Sequence, residues 1–162
     1  MTDMDESKMT FEELLNRDGR LIYTNVGVSM MPLIREGKDV LIIEKCDAQK
    51  LKKYDVVLFK RENVKGRGEY VLHRILKVLP EGKYWIVGDN CTEGEIVKKN
   101  MILGILTGIT RDKKATNLSG IKYRLYVSLW CAPYHLRFLV LRAKAFIKYA
   151  VGAVLYKLRI KK

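Results

Sequence analysis

The C-terminal third of this chain contains no acidic side chains. None of the 18 Asp and Glu residues follows Asp112, whereas 12 of the 31 Lys and Arg residues do. Almost all of the formal net charge of +13 therefore lies in the last 50 residues. Those residues are also rich in Leu, Val, Tyr, Phe and Ala, unlike a uniformly basic nucleic-acid-binding chain. We expect a near-neutral body with a basic, apolar tail, and no nucleic-acid partner.

Cysteine is scarce as well, and long apolar runs are missing. Cys46, Cys91 and Cys131 are odd in number and lack CxxC spacing, so they predict reduced thiols rather than a disulfide framework or a zinc site. Residues 1–19 have no basic segment followed by an apolar one, and we expect neither a signal peptide nor an N-terminal membrane anchor. The longest uncharged runs of the tail, Leu125–Leu136 and Tyr149–Tyr156, are shorter than the roughly 18 to 20 residues of a spanning helix.

Short β-branched runs bounded by turn residues dominate the body. They predict a mainly β domain over residues 21–112, a small barrel or sandwich. In the N-terminal segment 1–20, Thr10 and Glu13 form a capping-box pattern that predicts a helix from about 10 to 17, ended by Gly19. The predicted strands are Leu21–Tyr23, Val40–Ile43, Val56–Phe59, Tyr70–Leu79, Tyr84–Val87 and Ile102–Ile109. Hairpin loops are predicted at Asn63–Gly68 and Pro80–Gly82, and a linker at Arg111–Asn117.

The tail, residues 113–162, is predicted to be helical from Ile121 onward, with a break near Pro133. Its basic residues would meet anionic lipid, so residues 121–162 favour a helix lying in a membrane interface. Four aromatic side chains would suit the headgroup level: Trp130, Tyr134, Tyr149 and Tyr156. The alternative is an amphipathic helix packed on the body or on a partner protein.

Five short segments of the body contain the residue types used in hydrolytic chemistry. Ser29 lies in the string Gly27-Val28-Ser29-Met30-Met31-Pro32, on a predicted tight turn just before a strand. The serine string is followed in order by four further segments: Tyr54-Asp55-Val56-Val57-Leu58-Phe59, Val71-Leu72-His73-Arg74-Ile75, Val87-Gly88-Asp89-Asn90 and Ile102-Leu103-Gly104.

In order and spacing these segments resemble the signal peptidase I superfamily of serine proteases over about residues 25 to 109. That family has a serine box, a strand, a segment bearing the catalytic base and a Gly-Asp-Asn box. Bacterial members have lysine as base, whereas archaeal and endoplasmic-reticulum members have histidine followed by arginine. His73-Arg74 is similar to the second type. Unlike the family, this sequence has no transmembrane helix just before the serine box.

The resemblance implies a role for each candidate residue. Ser29 would be the nucleophile, and His73 its general base, since imidazole titrates near neutral pH. Glu95, where relatives have Asp, would orient His73; Glu93 and Asp89 are the other acids considered. Gly27 stands where many relatives have a serine that donates to the oxyanion, which leaves the Ser29 backbone N–H as a donor. The predicted binding residues are Gly27, Met30, Pro32, Asp89 and Asn90. His135 is expected in packing or interfacial contacts.

The expected function is a serine endopeptidase that cleaves a signal or leader peptide through an acyl-enzyme, without metal or organic cofactor. Its partners would be a peptide or precursor-protein substrate and an anionic membrane surface. Because positive charge is retained on the cytoplasmic side of membranes, a peripheral cytoplasmic location is expected, with an integral tail as the alternative. Two other functions stay open: an inactive peptidase-like module that binds lipid or nucleic acid through its tail, and a self-cleaving regulator of the SOS-repressor type.

Overall fold

The computed structural model describes residues 9–62 and 68–160, and its architecture is mainly β. The helices and strands are α1 (Phe11–Asp18), β1 (Arg20–Thr24), β2 (Asp39–Lys45), β3 (Val56–Glu62), β4 (Gly68–Leu79), β5 (Lys83–Val87), β6 (Gly94–Lys98), β7 (Ile102–Arg111), β8 (Lys114–Thr116), α2 (Ile121–Tyr126) and α3 (Tyr134–Ile160). A short π-helical segment, Val127–Cys131, follows α2. The mainly β prediction, with helices at both ends, is confirmed.

All the strands belong to one antiparallel sheet. Its order is β1-β2-β7-β3-β4-β5-β6, and β8 pairs with β7. Each of the six predicted strands is present and contains the apolar run that predicted it. Two groups of buried aliphatic side chains pack against the sheet, one including Leu41 and Leu58 and the other Val57 and Ile86. The sheet is therefore held by apolar burial on more than one part of its surface.

Helix α1 begins and ends where its capping residues predict. The Thr10 hydroxyl accepts from the Glu13 N–H at 3.2 Å, and Glu13 accepts from the Thr10 N–H at 2.7 Å. Gly19, at φ 67°, ends the helix in the left-handed conformation that glycine adopts without strain. Local capping energetics therefore determine this element.

Two strands were not predicted. The prediction of a linker at Arg111–Asn117 is wrong, because Lys114–Thr116 forms β8 after a tight hairpin turn. Asp112 and Lys113 make this turn with φ of 48° and 63°, a pair of left-handed residues typical of two-residue hairpins but usually signalled by Asn or Gly. Strand β6 lacks the sequence signal because its apolar run is only two residues long and has a charged residue on each side.

Pro80–Gly82 forms the predicted hairpin turn between β4 and β5. The other predicted hairpin loop, Asn63–Gly68, lies outside the described residues except for Gly68, which begins β4.

The beginning of the tail is packed on the sheet. Helicity from Ile121 and the break at Pro133 are confirmed. Cys131 is fully buried, Arg137 is 2 % exposed, and Tyr134 packs edge-on against Trp85 of β5 with ring centroids 5.3 Å apart. In the ranges 9–62 and 68–160, no helix combines the length and the apolarity needed to cross a bilayer.

Candidate active site

Ser29 lies half-buried in the turn between β1 and β2. Side chains on both sides hold this turn: Asn25 Nδ2 donates to the Gly27 carbonyl at 3.1 Å, and the Gly27 N–H donates to Glu36 Oε1 at 2.6 Å. Gly27 has a φ of 105°, a conformation that side-chain-bearing residues rarely adopt. The backbone therefore requires glycine at position 27, whatever part this residue has in an oxyanion site.

A second turn, Gly88–Asn90 after β5, is hydrogen bonded to the serine turn. The Asn90 N–H donates to the Ser29 carbonyl at 2.8 Å, and Asn90 Nδ2 donates to the Val28 carbonyl at 3.2 Å. The backbone N–H of Ser29 makes no hydrogen bond within the described part of the chain. It is thus a donor available to a negatively charged oxygen.

His73 on β4 reaches the same place from the sheet. A Cβ built on Gly88 would stand 2.7 Å from the Ser29 carbonyl oxygen and 3.0 Å from His73 Nε2. The serine backbone and the imidazole therefore converge on one point, although 44 residues separate them in the sequence. No hydrogen bond between Ser29 Oγ and His73 is present among the described residues; such bonds are often long without substrate.

Glu95 lies on the other side of the imidazole. Its Oε1 is 3.8 Å from His73 Nδ1, beyond hydrogen-bonding distance, and 2.7 Å from Arg61 Nη1. Arg61 Nε also donates to Glu69 at 3.2 Å, so the arginine is fixed between two carboxylates. The two ring nitrogens thus have different neighbours, Nε2 near the serine turn and Nδ1 near an acid that is already paired.

The environment of His73 disfavours its charged form. The side chain is 12 % exposed, and burial, followed by the charge of Arg61, lowers the pKa of His73 to about 4. The imidazole is therefore neutral at physiological pH, with a nitrogen free to accept a proton. This value is well below the ordinary 6.5 assumed from sequence.

Asp89 has no open face towards substrate. Its carboxylate is fully buried and accepts from Arg74 Nε at 2.8 Å and Nη2 at 2.7 Å, and from the Tyr126 hydroxyl at 2.8 Å. Arg137 Nη1 lies 3.5 Å away, and Trp130 Nε1 donates to the Asp89 carbonyl at 3.1 Å. Asp89 therefore joins β4, the Gly88–Asn90 turn and the tail.

The remaining predicted residues are not all together. Met30 is fully buried and packs in the core, with its carbonyl accepting from Ile34. Pro32 is exposed, follows a cis peptide bond and lines a separate cavity with Arg111 and Tyr126. Glu93 is exposed at the cleft described next, and His135 lies on α3 with its ring 4.0 Å from that of Tyr134.

An open cleft of about 720 Å³ adjoins His73 and Glu95. Asn90, Thr92 and Glu93 form part of its lining, and one wall belongs to α3. The sequence did not point to Arg61, because its position beside Glu95 depends on strand register. It also did not predict that α3 lines the cleft, because the tail is expected to face lipid. The residues of this wall are Leu141, Lys144, Ala145 and Lys148.

No group of three or more His, Cys, Asp and Glu side chains suited to a metal ion occurs within the described ranges. Neither the protein-family models nor the curated proteins compared with the chain gave a match.

Proposed function

We propose that this protein is a serine endopeptidase of the signal-peptidase type, with Ser29 as nucleophile and His73 as general base. The observation that carries the proposal is the convergence of the Ser29 turn and His73 Nε2 at Gly88. An acyl-transfer enzyme needs a nucleophile, a neutral base and an oxyanion donor close together, and under this proposal Ser29 Oγ, His73 and the Ser29 N–H would supply them. Under this proposal the antiparallel sheet is a signal-peptidase-type barrel or sandwich.

The reaction has two halves. Ser29 Oγ attacks the peptide carbonyl while His73 Nε2 takes the hydroxyl proton, and the Ser29 N–H stabilises the oxyanion. The tetrahedral intermediate expels the amine, which receives the proton from His73, and an acyl-enzyme is left. Water then attacks the ester, giving its proton to His73, and the acid product leaves as Ser29 recovers its hydrogen. Atoms and protons balance without a cofactor.

Glu95 supports the imidazole by charge rather than by a direct hydrogen bond. During attack His73 becomes an imidazolium, and a carboxylate 3.8 Å from Nδ1 stabilises that charge. Arg61 opposes this effect because it pairs with the same oxygen at 2.7 Å. A histidine with a lowered pKa is neutral over a wide pH range and can act as a base throughout it. It is a weaker base, however, and Glu95 is shared with Arg61, so we expect modest turnover.

The tail would place the enzyme on an anionic membrane surface on the cytoplasmic side. Leu139 and Phe146, on the side of α3 opposite Arg137 and Leu141, are 64 % and 71 % exposed. Leu136, Ile147 and Val154, which adjoin this side, are each at least 58 % exposed. Basic side chains flank this face, an arrangement typical of interfacial helices. Tyr149 and Tyr156 are exposed and suit the headgroup level, whereas Trp130 and Tyr134 pack on the body.

A fluorophosphonate probe, which labels activated serines, tests the proposal. The full-length protein should be labelled at Ser29, and Ser29→Ala should lose both labelling and cleavage of a peptide with small residues, without loss of stability. Ser128→Ala, at an exposed serine outside the cleft, is the matched control and should keep both. An unlabelled wild-type protein that still binds vesicles would instead identify an inactive lipid-binding module.

A further inference from the structure

Helix α3 turns two lysines, as well as two apolar side chains, towards the cleft beside His73. Leu141, Lys144, Ala145 and Lys148 follow the i, i+3, i+4, i+7 spacing of one helix face, and all four line the cleft. Among the large exposed apolar residues of α3, Leu139 and Phe146 lie on the opposite side, and others, such as Leu155, are distributed around the helix. A helix on a soluble domain usually turns its apolar face to the body, so two lysines on the face that meets the cleft are unusual.

Within the part of the chain that the structure describes, the two lysines have no carboxylate partner. No ion pair of the described residues includes Lys144 or Lys148, and the one aromatic contact is Lys144 Nζ, 5.9 Å from the centre of the Trp130 ring. Arg61, the other cation of the cleft, is neutralised by Glu69 and Glu95. The α3 wall therefore presents two unpaired positive charges.

The part of the lining outside α3 differs in charge. Glu93, which is exposed, and Glu95, which is paired with Arg61, lie on and beside β6. A bound peptide would therefore meet cations on the α3 side and a carboxylate on the β6 side. Charges arranged in this way select both the composition and the orientation of a ligand.

We infer that the cleft binds an acidic segment of the peptide substrate, with Lys144 and Lys148 as specificity-determining residues. The inference rests on the proposed function for the chemistry, but binding itself requires no cleavage. Anionic lipid headgroups are the competing ligand for these lysines. The peptide is favoured because the lysines line the cleft beside His73, whereas the exposed Leu139 and Phe146 lie on the opposite side of α3.

The decisive experiment measures binding to the full-length Ser29→Ala protein, which holds peptide without turning it over. Fluorescence anisotropy would compare labelled peptides of small residues that contain a Glu triplet with matched peptides in which the triplet is Gln, moving the triplet along the peptide. For at least one placement the Glu peptide should bind several-fold more tightly. Lys144→Glu and Lys148→Glu should each reduce that preference about 2- to 5-fold, since exposed ion pairs contribute modestly.

Arg142→Glu makes the same charge change on the same helix, outside the cleft, and should leave the preference intact. Equal affinity for Glu and Gln peptides at every placement would overturn the inference, as would lysine variants that lose anionic-vesicle binding but keep the peptide preference. Neither result bears on the fluorophosphonate test of Ser29. Conversely, an unlabelled Ser29 would refute the peptidase and leave the acidic-peptide site to be judged on binding alone.

Discussion

Replacing Gly88 with alanine tests the convergence on which the candidate active site depends. The new methyl carbon would stand 2.7 Å from the Ser29 carbonyl oxygen, 2.7 Å from Cys91 Sγ and 3.0 Å from His73 Nε2. Contacts between nonbonded atoms are normally about 3.5 Å or longer, so each of these neighbours must move by several tenths of an ångström. The Ser29 oxygen belongs to the backbone, and its displacement would carry the nucleophile away from the base.

The expected magnitudes follow from overpacking and from misalignment. Inserting a methyl group into a packed site costs about 1–3 kcal/mol of stability. Displacing reacting groups by about 1 Å costs about 10²-fold in rate. We therefore expect Gly88→Ala to lower kcat/KM about 10- to 100-fold at a temperature where the protein is still fully folded.

The assay is kcat/KM on a soluble peptide together with denaturant unfolding. Gly152→Ala is the matched control, because nothing lies within 4 Å of its new Cβ and alanine favours a helix by about 0.5–1 kcal/mol. Adding Cys91→Ala to Gly88→Ala removes one of the three short contacts. The double variant should be more stable than Gly88→Ala, whereas its kcat/KM should stay low. Wild-type kcat/KM in Gly88→Ala would refute the proposed convergence of Ser29 and His73.

Three further predictions concern the base, the acids and the tail. Because the pKa of His73 is lowered to about 4, kcat/KM should stay level down to about pH 5 and fall only below it, as the imidazole takes a proton. Arg61→Gln removes a cation that lowers this pKa and should move the fall to higher pH. A fall near pH 6.5 in the wild-type protein would contradict the burial argument. Asp89→Asn should lower the free energy of unfolding by about 3–5 kcal/mol, because it breaks the buried ion pair with Arg74. Glu95→Gln should mainly lower kcat, and Glu93→Gln, at an exposed residue, should change kcat little. Equal kinetic losses at all three sites would remove the role of Glu95. The double variant Leu139→Glu, Phe146→Glu should lose sedimentation with anionic vesicles while soluble-peptide cleavage persists, and unchanged sedimentation would exclude this face of α3 as the membrane contact.

Much of the sheet could be predicted because its signals are local. β-branched runs and turn residues identified six strands, and the capping pair Thr10 and Glu13 identified α1. Strand β8 escaped because Asp112 and Lys113 adopt a left-handed hairpin turn without the usual Asn or Gly. Where residue type favours a turn only weakly, the pairing of the two strands stabilises it. A local sequence pattern does not contain this pairing.

The candidate site was predictable in its members but not in its contacts. The order of the motifs indicated Ser29, His73 and Glu95, whereas the 3.8 Å separation of acid and base follows from sheet register. Arg61 lies opposite Glu69 in the pairing of β3 with β4, and β6 places Glu95 beside the same guanidinium. A one-residue change of register would turn these side chains to the other face, and no single segment encodes that choice.

By itself, the sequence determined the separation of charge, six of the eight described strands and the serine, histidine and acidic residues of the candidate site, because each depends on neighbours along the chain. Only the tertiary structure decided where the tail packs on the body. Tyr126 and Arg137 surround the buried Asp89, and α3 turns Lys144 towards His73. A helix with apolar residues on most of its circumference does not specify which face meets the body; buried pairing with Asp89, from a distant turn, makes that selection.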